Sequence, residues 1–154
     1  MNQALAASQD GASPSSDLVV SGLTELAFGA LTGWVYAAVK QQPDAVRNLG
    51  VRAPDRIRQW HLELMMAGAF NVACGMAVPN VHPNAAKALI IGSWINPSAF
   101  LPLAFRPGIR DRLTYQLPVV AALVATSVGY TSIATTALRN RFPRSCTLTR
   151  DSMG

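Results

Sequence analysis

An all-α integral membrane bundle of four helices is the fold this sequence predicts, and three observations carry it. Half of the 154 residues are hydrophobic and only 14% are charged, well below the roughly 25% of an average soluble domain. The charges are also unevenly placed, because Leu18 to Val39 contains only Glu25, and Leu113 to Leu138 contains no Asp, Glu, Lys or Arg. Small residues recur along the apolar runs, as Gly22, Gly29 and Gly33, then Gly68 and Gly75, then Gly129 and Ser132; such residues let membrane helices approach closely. A soluble four-helix bundle would show charged faces over about half of each helix, and the last run has none.

Residues 1–17 are rich in Ser, Ala and Gln without apolar periodicity, which predicts a disordered tail. They lack the basic start and small-residue cleavage site of a signal peptide, so the first apolar run is expected to be a retained helix. Four runs of about 20 residues follow, each long enough to cross a hydrocarbon core of about 30 Å: 18–39, 60–81, 87–105 and 117–138. Asp17, Ser21 and Thr24 stand at the start of the first, and Pro43 closes the turn after it. Pro54 and Asp55 precede the second, which Pro79 and Pro83 stop. Pro97 and Pro102 inside the third predict a kink, tolerated in a membrane when neighbours take up the freed carbonyls. Residues 139–154 form a basic carboxyl tail.

The net charge of +5 sits between the apolar runs, where it suits lipid headgroups rather than nucleic acid. Lys40, Arg47, Arg52, Arg56 and Arg58 in the first connection, with Arg106, Arg110 and Arg112 in the third, outnumber the basic residues on the other side. That excess places both termini outside. Cys74 and Cys146 form no disulfide framework and match no zinc spacing.

His61 opens the second helix, in Arg58-Gln59-Trp60-His61-Leu62-Glu63, at the depth where headgroups meet hydrocarbon. It can be read as a wet interfacial anchor beside Trp60. It can also be read as an axial ligand to haem iron, provided its second ring nitrogen donates to a carbonyl or carboxylate that fixes the tautomer. His82, between two prolines, reads as an exposed loop residue. Glu25 is the only acid well inside a membrane run, where a charge costs about 2.5–3.5 kcal/mol on insertion scales. Two accounts stand: it pairs with an arginine or snorkels, or it is a desolvated acid suited to proton transfer. Asn71 lies ten residues after His61 and so about 80° round the helix, within reach of a shared cleft. Asn96 and Phe100 are four residues apart and share a face, with Gly92 one turn earlier, a lining that suits a small flat ligand. Each amide alone also reads as interhelical glue.

The His61-Leu62-Glu63 start of the second helix, Gly68, Pro79 at its end, and Trp94-Ile95-Asn96 in the third resemble the four-helix membrane isomerases that comprise the styrene oxide isomerases and hydroxylaminobenzene mutases. The resemblance covers roughly residues 55–105. It implies a homotrimer of four-helix protomers, haem b near the subunit contacts, and His61 as axial ligand. In that chemistry ferric haem is a Lewis acid on an epoxide oxygen, the C–O bond opens to a cation, and a hydride shift yields an aldehyde. Water exclusion would keep the cation from becoming a diol. The sequence departs from the group at Ala67, where the pattern has an asparagine six residues after the histidine. It departs again at Phe100, where the epoxide isomerases have a tyrosine. Asn71 could reach the same cleft from deeper, and polar work could pass to Glu25, Asn71 or Ser93.

The expectation is therefore a multi-pass membrane isomerase or mutase acting on a small lipophilic epoxide or related compound. Asn96 and Glu25 would be catalytic, His61 would hold the metal of the cofactor, and Asn71, Trp94 and Phe100 would contact substrate. Two other functions fit the same residues: an epoxide-opening hydrolase or cyclase using Glu25, and a non-catalytic haem-binding or scaffold subunit.

Overall fold

The computed structural model describes residues 13–141, and every regular element among them is helical. The elements are α1 (Pro14–Gln41), α2 (Pro43–Asn48), α3 (Pro54–Ala77), α4 (Pro83–Ser98), α5 (Phe100–Phe105), a 3-10 turn (Pro107–Asp111) and α6 (Leu113–Arg141). Three helical stretches are long and apolar enough to cross a membrane: α1, α4 with α5, and α6. The chain is a multi-pass integral membrane protein. Helix α3 has 24 residues, but Asp55, Arg56, Arg58, His61, Glu63 and Asn71 make it the most polar of the long helices.

Helices begin earlier than the apolar runs suggest, and the reason is proline. Pro14, Pro43, Pro54, Pro83 and Pro107 all occupy the first turn of an element, where a missing N–H costs nothing and the fixed φ is helical. Thus α1 starts at Pro14 rather than Leu18, with the Ser13 hydroxyl accepting from Ser16 N at 3.2 Å. Helix α3 starts at Pro54 and ends at Ala77, not 60–81. Helix α4 starts at Pro83 rather than Lys87, capped by His82, whose Nδ1 accepts from Asn84 N at 3.2 Å. Pro43 opens a short helix instead of closing a turn. Of the expected amino tail, residues 14–17 are helical and 1–12 lie outside the described residues. Helix α6 extends the fourth run to 113–141, and 142–154 of the expected carboxyl tail lie outside them.

The third run breaks at Ala99, two residues after Pro97. The Tyr115 hydroxyl donates to Ala99 O at 2.9 Å, so the carbonyl at the break finds a partner in α6 as a membrane interior demands. At the same end Arg52 N and Ala53 N both donate to Ala104 O, at 2.8 and 2.9 Å, tying the first connection to α5.

Two antiparallel pairs make up the body, α1 against α3 and α4 against α6. Glycine seams set their spacing. A Cβ at Gly22 would stand 2.6 Å from Gly68 O, and one at Gly68 would stand 2.7 Å from Gly22 O, so the two backbones touch directly. Gly75 lies on Ser15 O in the same way, at 2.6 Å, and Gly29 receives Met65. In the other pair Gly92 receives the Thr126 hydroxyl and Gly129 lies on Leu89. Apolar clusters close the two ends, with Leu18, Val78, Ala86, Leu89 and Ile133 at one and Val39, Val51, Ile57 and Ala104 at the other. Large apolar side chains point outward, among them Leu31 at 65%, Trp34 at 79% and Leu117 at 66% exposure, as a lipid-facing surface requires.

Gly22→Ala is expected to lower unfolding stability in detergent by about 1–3 kcal/mol, because the added methyl meets backbone rather than a flexible side chain. Gly108→Ala, where a Cβ meets nothing within 4 Å, is the matched control and should leave the transition unmoved. Equal effects of the two substitutions, followed by circular dichroism on heating, would remove the seam from the packing.

Candidate functional site

Helical register brings two groups of polar side chains into the α1/α3 seam. At the first, His61 on α3 faces Gly29, Thr32 and Gly33 on α1. His61 Nδ1 lies 2.9 Å from Gly29 O and 3.1 Å from Thr32 Oγ1. A carbonyl can only accept, so Nδ1 carries the proton. Thr32 gives its own hydrogen to Gly29 O at 2.6 Å and can therefore accept from the ring. With Nδ1 protonated, Nε2 holds the lone pair of the neutral imidazole, and it takes part in no hydrogen bond among the described residues. Tyr36 stacks on the ring at 6.0 Å between centroids and 15° between planes. The bare backbone of Gly33 lies under Cε1, where a Cβ would stand at 3.4 Å. Ring orientation is thus fixed from three sides.

The second group is centred on Glu25, whose side chain has no solvent exposure. Three elements supply its partners. Ser21, one turn earlier on α1, donates to Oε1 at 3.1 Å. Asn71 Nδ2 on α3 stands 3.1 Å from both carboxyl oxygens and 2.9 Å from Ser93 Oγ. Ser93 on α4 is 2.6 Å from Oε1, and its hydroxyl is also 2.9 Å from Ile90 O. Trp94 Nε1 extends the chain by donating to Ser21 Oγ at 3.2 Å. No arginine or lysine reaches Glu25 among the described residues, so the ion-pair account of this acid gives way to a set of neutral partners. Helix geometry explains the set: Ser21 and Glu25 are four apart on one face, and Ser93 and Trp94 stand side by side on α4 facing α1 and α3.

Ser93 also lines a cleft of about 150 Å³ between α3, α4 and α6, shared with Glu63, Phe70, Asn96, Thr126 and Tyr130. Asn96 Nδ2 donates to Thr126 Oγ1 at 3.0 Å, while Asn96 Oδ1 is buried with no partner among the described residues. Asn71 Oδ1 is likewise buried and unpaired. Ala67 borders this cleft, so the position where an asparagine was sought contributes only a methyl.

Several expected groupings separate. Asn71 does not share a cleft with His61; about 15 Å of helix separates them along the seam, and Glu25 and Ser93 hold Asn71 at its own level. Phe100 does not line the cleft of Asn96, although Ala99 between them keeps helical angles, φ −63° and ψ −25°. Phe100 instead borders a pocket beside Arg56, Arg110 and Tyr115. Trp94 lines a third pocket, with Tyr115 and Pro118. Thr32 and Ser21 were not among the expected site residues. The spacing Gly29-x-x-Thr32-Gly33 was the available signal for the first, and Ser21 four residues before Glu25 for the second.

No family model, no curated protein and no solved structure matches this chain.

A double-mutant cycle on Glu25→Ala and Asn71→Ala should give a coupling energy of about 0.5–1.7 kcal/mol, the range of hydrogen bonds between membrane helices. Unfolding in graded SDS measures it, and strictly additive losses would mean that the two side chains do not act as a unit.

Proposed function

We propose that this chain is a membrane-embedded isomerase acting on a small lipophilic epoxide or related compound, with haem b held by His61. The observation that carries the reading is the fixed tautomer of His61. Its Nδ1–H is spent on Gly29 O at 2.9 Å, the arrangement expected of an iron-ligating imidazole, and its Nε2 lone pair is left free. The donor set fits a porphyrin rather than a bare ion. Among the described residues no group of three or more His, Cys, Asp or Glu side chains could hold a metal ion, whereas porphyrin iron needs only one protein nitrogen. Bound haem would supply a Lewis-acidic iron for the epoxide oxygen.

The protein's own part is positioning and exclusion. A cleft of about 150 Å³ is of a size that accepts a benzene-sized molecule. Phe70, Met66 and Pro97 give that cleft apolar walls and Asn96 Oδ1 an unspent acceptor. It lies on the α4/α6 side of α3, however, whereas His61 faces α1, so it serves the second reading, of a hydrolase or cyclase. An epoxide meeting haem would do so beside His61, with lipid excluding water. In this reading α3 is a fourth span, since 24 residues reach about 36 Å, and protomers assemble as homotrimers with both termini outside.

A second reading, an epoxide-opening hydrolase or cyclase, is favoured by one contact. Ser93 Oγ both borders the cleft and stands 2.6 Å from Glu25 Oε1, so a proton on that oxygen has a single hydroxyl to pass before reaching a substrate. Glu25→Gln separates the two, because it keeps the shape and abolishes ionisation.

His61→Ala should remove most haem from the purified protein, and added imidazole should restore part of it. Thr32→Val should weaken haem binding by about 10-fold through the loss of the partner that helps orient the ring. Haem content is read from the Soret band, and full occupancy in the alanine variant would overturn the assignment. Glu25→Gln should retain turnover as an isomerase; loss of turnover in a folded variant with haem in place would instead favour the hydrolase or cyclase.

A further inference from the structure

The first and third connections gather eight basic residues at one end of the bundle: Lys40, Arg47, Arg52, Arg56, Arg58, Arg106, Arg110 and Arg112. Two of them share a pocket, Arg56 half-buried and Arg110 exposed. Arg56 in the first turn of α3 and Arg110 in the 3-10 turn both line a pocket of about 330 Å³ where α3, α5 and the start of α6 meet. No carboxylate lines it, and among the described residues neither arginine has an ionic partner. Arg56 is half-buried and held, its guanidinium donating to Gln59 Oε1 at 2.7 Å. The turn carrying Arg110 is held too, since Gln116 Nε2 donates to Arg110 O at 3.1 Å. With no carboxylate in the lining to pair them, both guanidiniums are free to take a bound anion.

Tyr115 and Gln116 also line it, and the rest of the wall is apolar, made by Phe100, Leu103, Val119 and Val120. Val120 is 56% exposed and continues into the outward face of α6, with Leu117 at 66% and Leu123 at 53%. One opening of the pocket therefore runs into the surface that lipid covers. A free inorganic anion would use the arginines and leave this wall unfilled.

We infer that the arginine-lined pocket between α3, α5 and α6 binds the phosphate headgroup of an anionic phospholipid, with an acyl chain lying along Phe100, Leu103 and Val120. The shared chemistry is a phosphate oxyanion, which a soluble phosphate could also present; the apolar wall and its continuity with the lipid-facing side of α6 favour the lipid. The end of a membrane protein richest in arginine faces the leaflet where anionic headgroups concentrate. This inference is independent of haem and of turnover.

The full chain in detergent is offered equal amounts of phosphatidylglycerol and phosphatidylcholine with the same acyl chains, and retained lipids are counted by native mass spectrometry. Phosphatidylglycerol should be retained roughly tenfold over phosphatidylcholine, as two guanidiniums near one headgroup would give. Arg56→Gln with Arg110→Gln should bring the two lipids to parity. Arg110→Gln alone, on an exposed turn, should lose much of the preference and serves if the double variant does not fold. Arg47→Gln removes an arginine of the same basic end that is 75% exposed and 3.7 Å from Asp44, and should leave the preference intact. Added inorganic phosphate should not displace the lipid. Equal retention by the native chain, an unchanged preference in the double variant, an equal loss with Arg47→Gln, or displacement by inorganic phosphate would each overturn the inference.

Discussion

A carboxyl group with no solvent exposure and, among the described residues, no cation beside it is the constraint around which this bundle is organised. Glu25 lies within a helix apolar enough to cross a membrane, where a charge costs about 2.5–3.5 kcal/mol on insertion scales. Contacts from Ser21, Asn71 and Ser93, at about 0.6 kcal/mol each in a membrane protein, offset much of that cost only if all three helices hold their register. The carboxyl therefore does what an apolar contact cannot. It specifies one rotation of α1, one of α3 and one of α4, because slipping any of them leaves a buried polar atom without a partner.

Glycine contacts do the rest of the positioning, and they do it within each pair. Gly22 on Gly68 locks α1 to α3, and Gly92 with Gly129 locks α4 to α6. Polar contact between the pairs is concentrated at the Glu25 cluster and its Trp94–Ser21 extension, with apolar clusters at the two ends. The cleft that holds Ser93 and Asn96 opens beside that junction. A ligand there would feel both pairs at once, and the same hydroxyl that joins the pairs would touch it. His61 stands apart, at the far end of the α1/α3 seam, with its ring orientation set by Gly29, Thr32 and Tyr36 rather than by the cleft. The two polar features have different partners and can be altered separately.

Much of this was legible in the sequence for physical reasons. Charge-free runs announce lipid, so α1, α4 and α6 could be read directly, and Gly22, Gly68 and Gly129 declared where helices touch. The interruption of the third run just after Pro97 agrees with a missing N–H there. Helix starts were misjudged because apolar periodicity marks the part of a helix in hydrocarbon and is silent about the polar turn that caps it; Pro14 and Pro54 carry that information instead. Glu25, Asn71 and Ser93 could each be singled out as costly or polar. Their meeting could not be foreseen, since it depends on how three helices rotate about one another. The same ignorance separated Asn96 from Phe100: four residues of spacing on one helix do not say which neighbouring helices wall each of them off.

The most direct test follows a labelled hydrogen. An aryl epoxide carrying deuterium on the carbon from which hydride would migrate is incubated with the purified chain, and the product is examined by mass spectrometry. An isomerase that excludes water gives a carbonyl product of the same mass as the substrate, with the deuterium retained on the adjacent carbon. A diol heavier by one water would contradict it, assigning the cleft to hydrolysis and the Glu25 carboxyl to its proton chemistry.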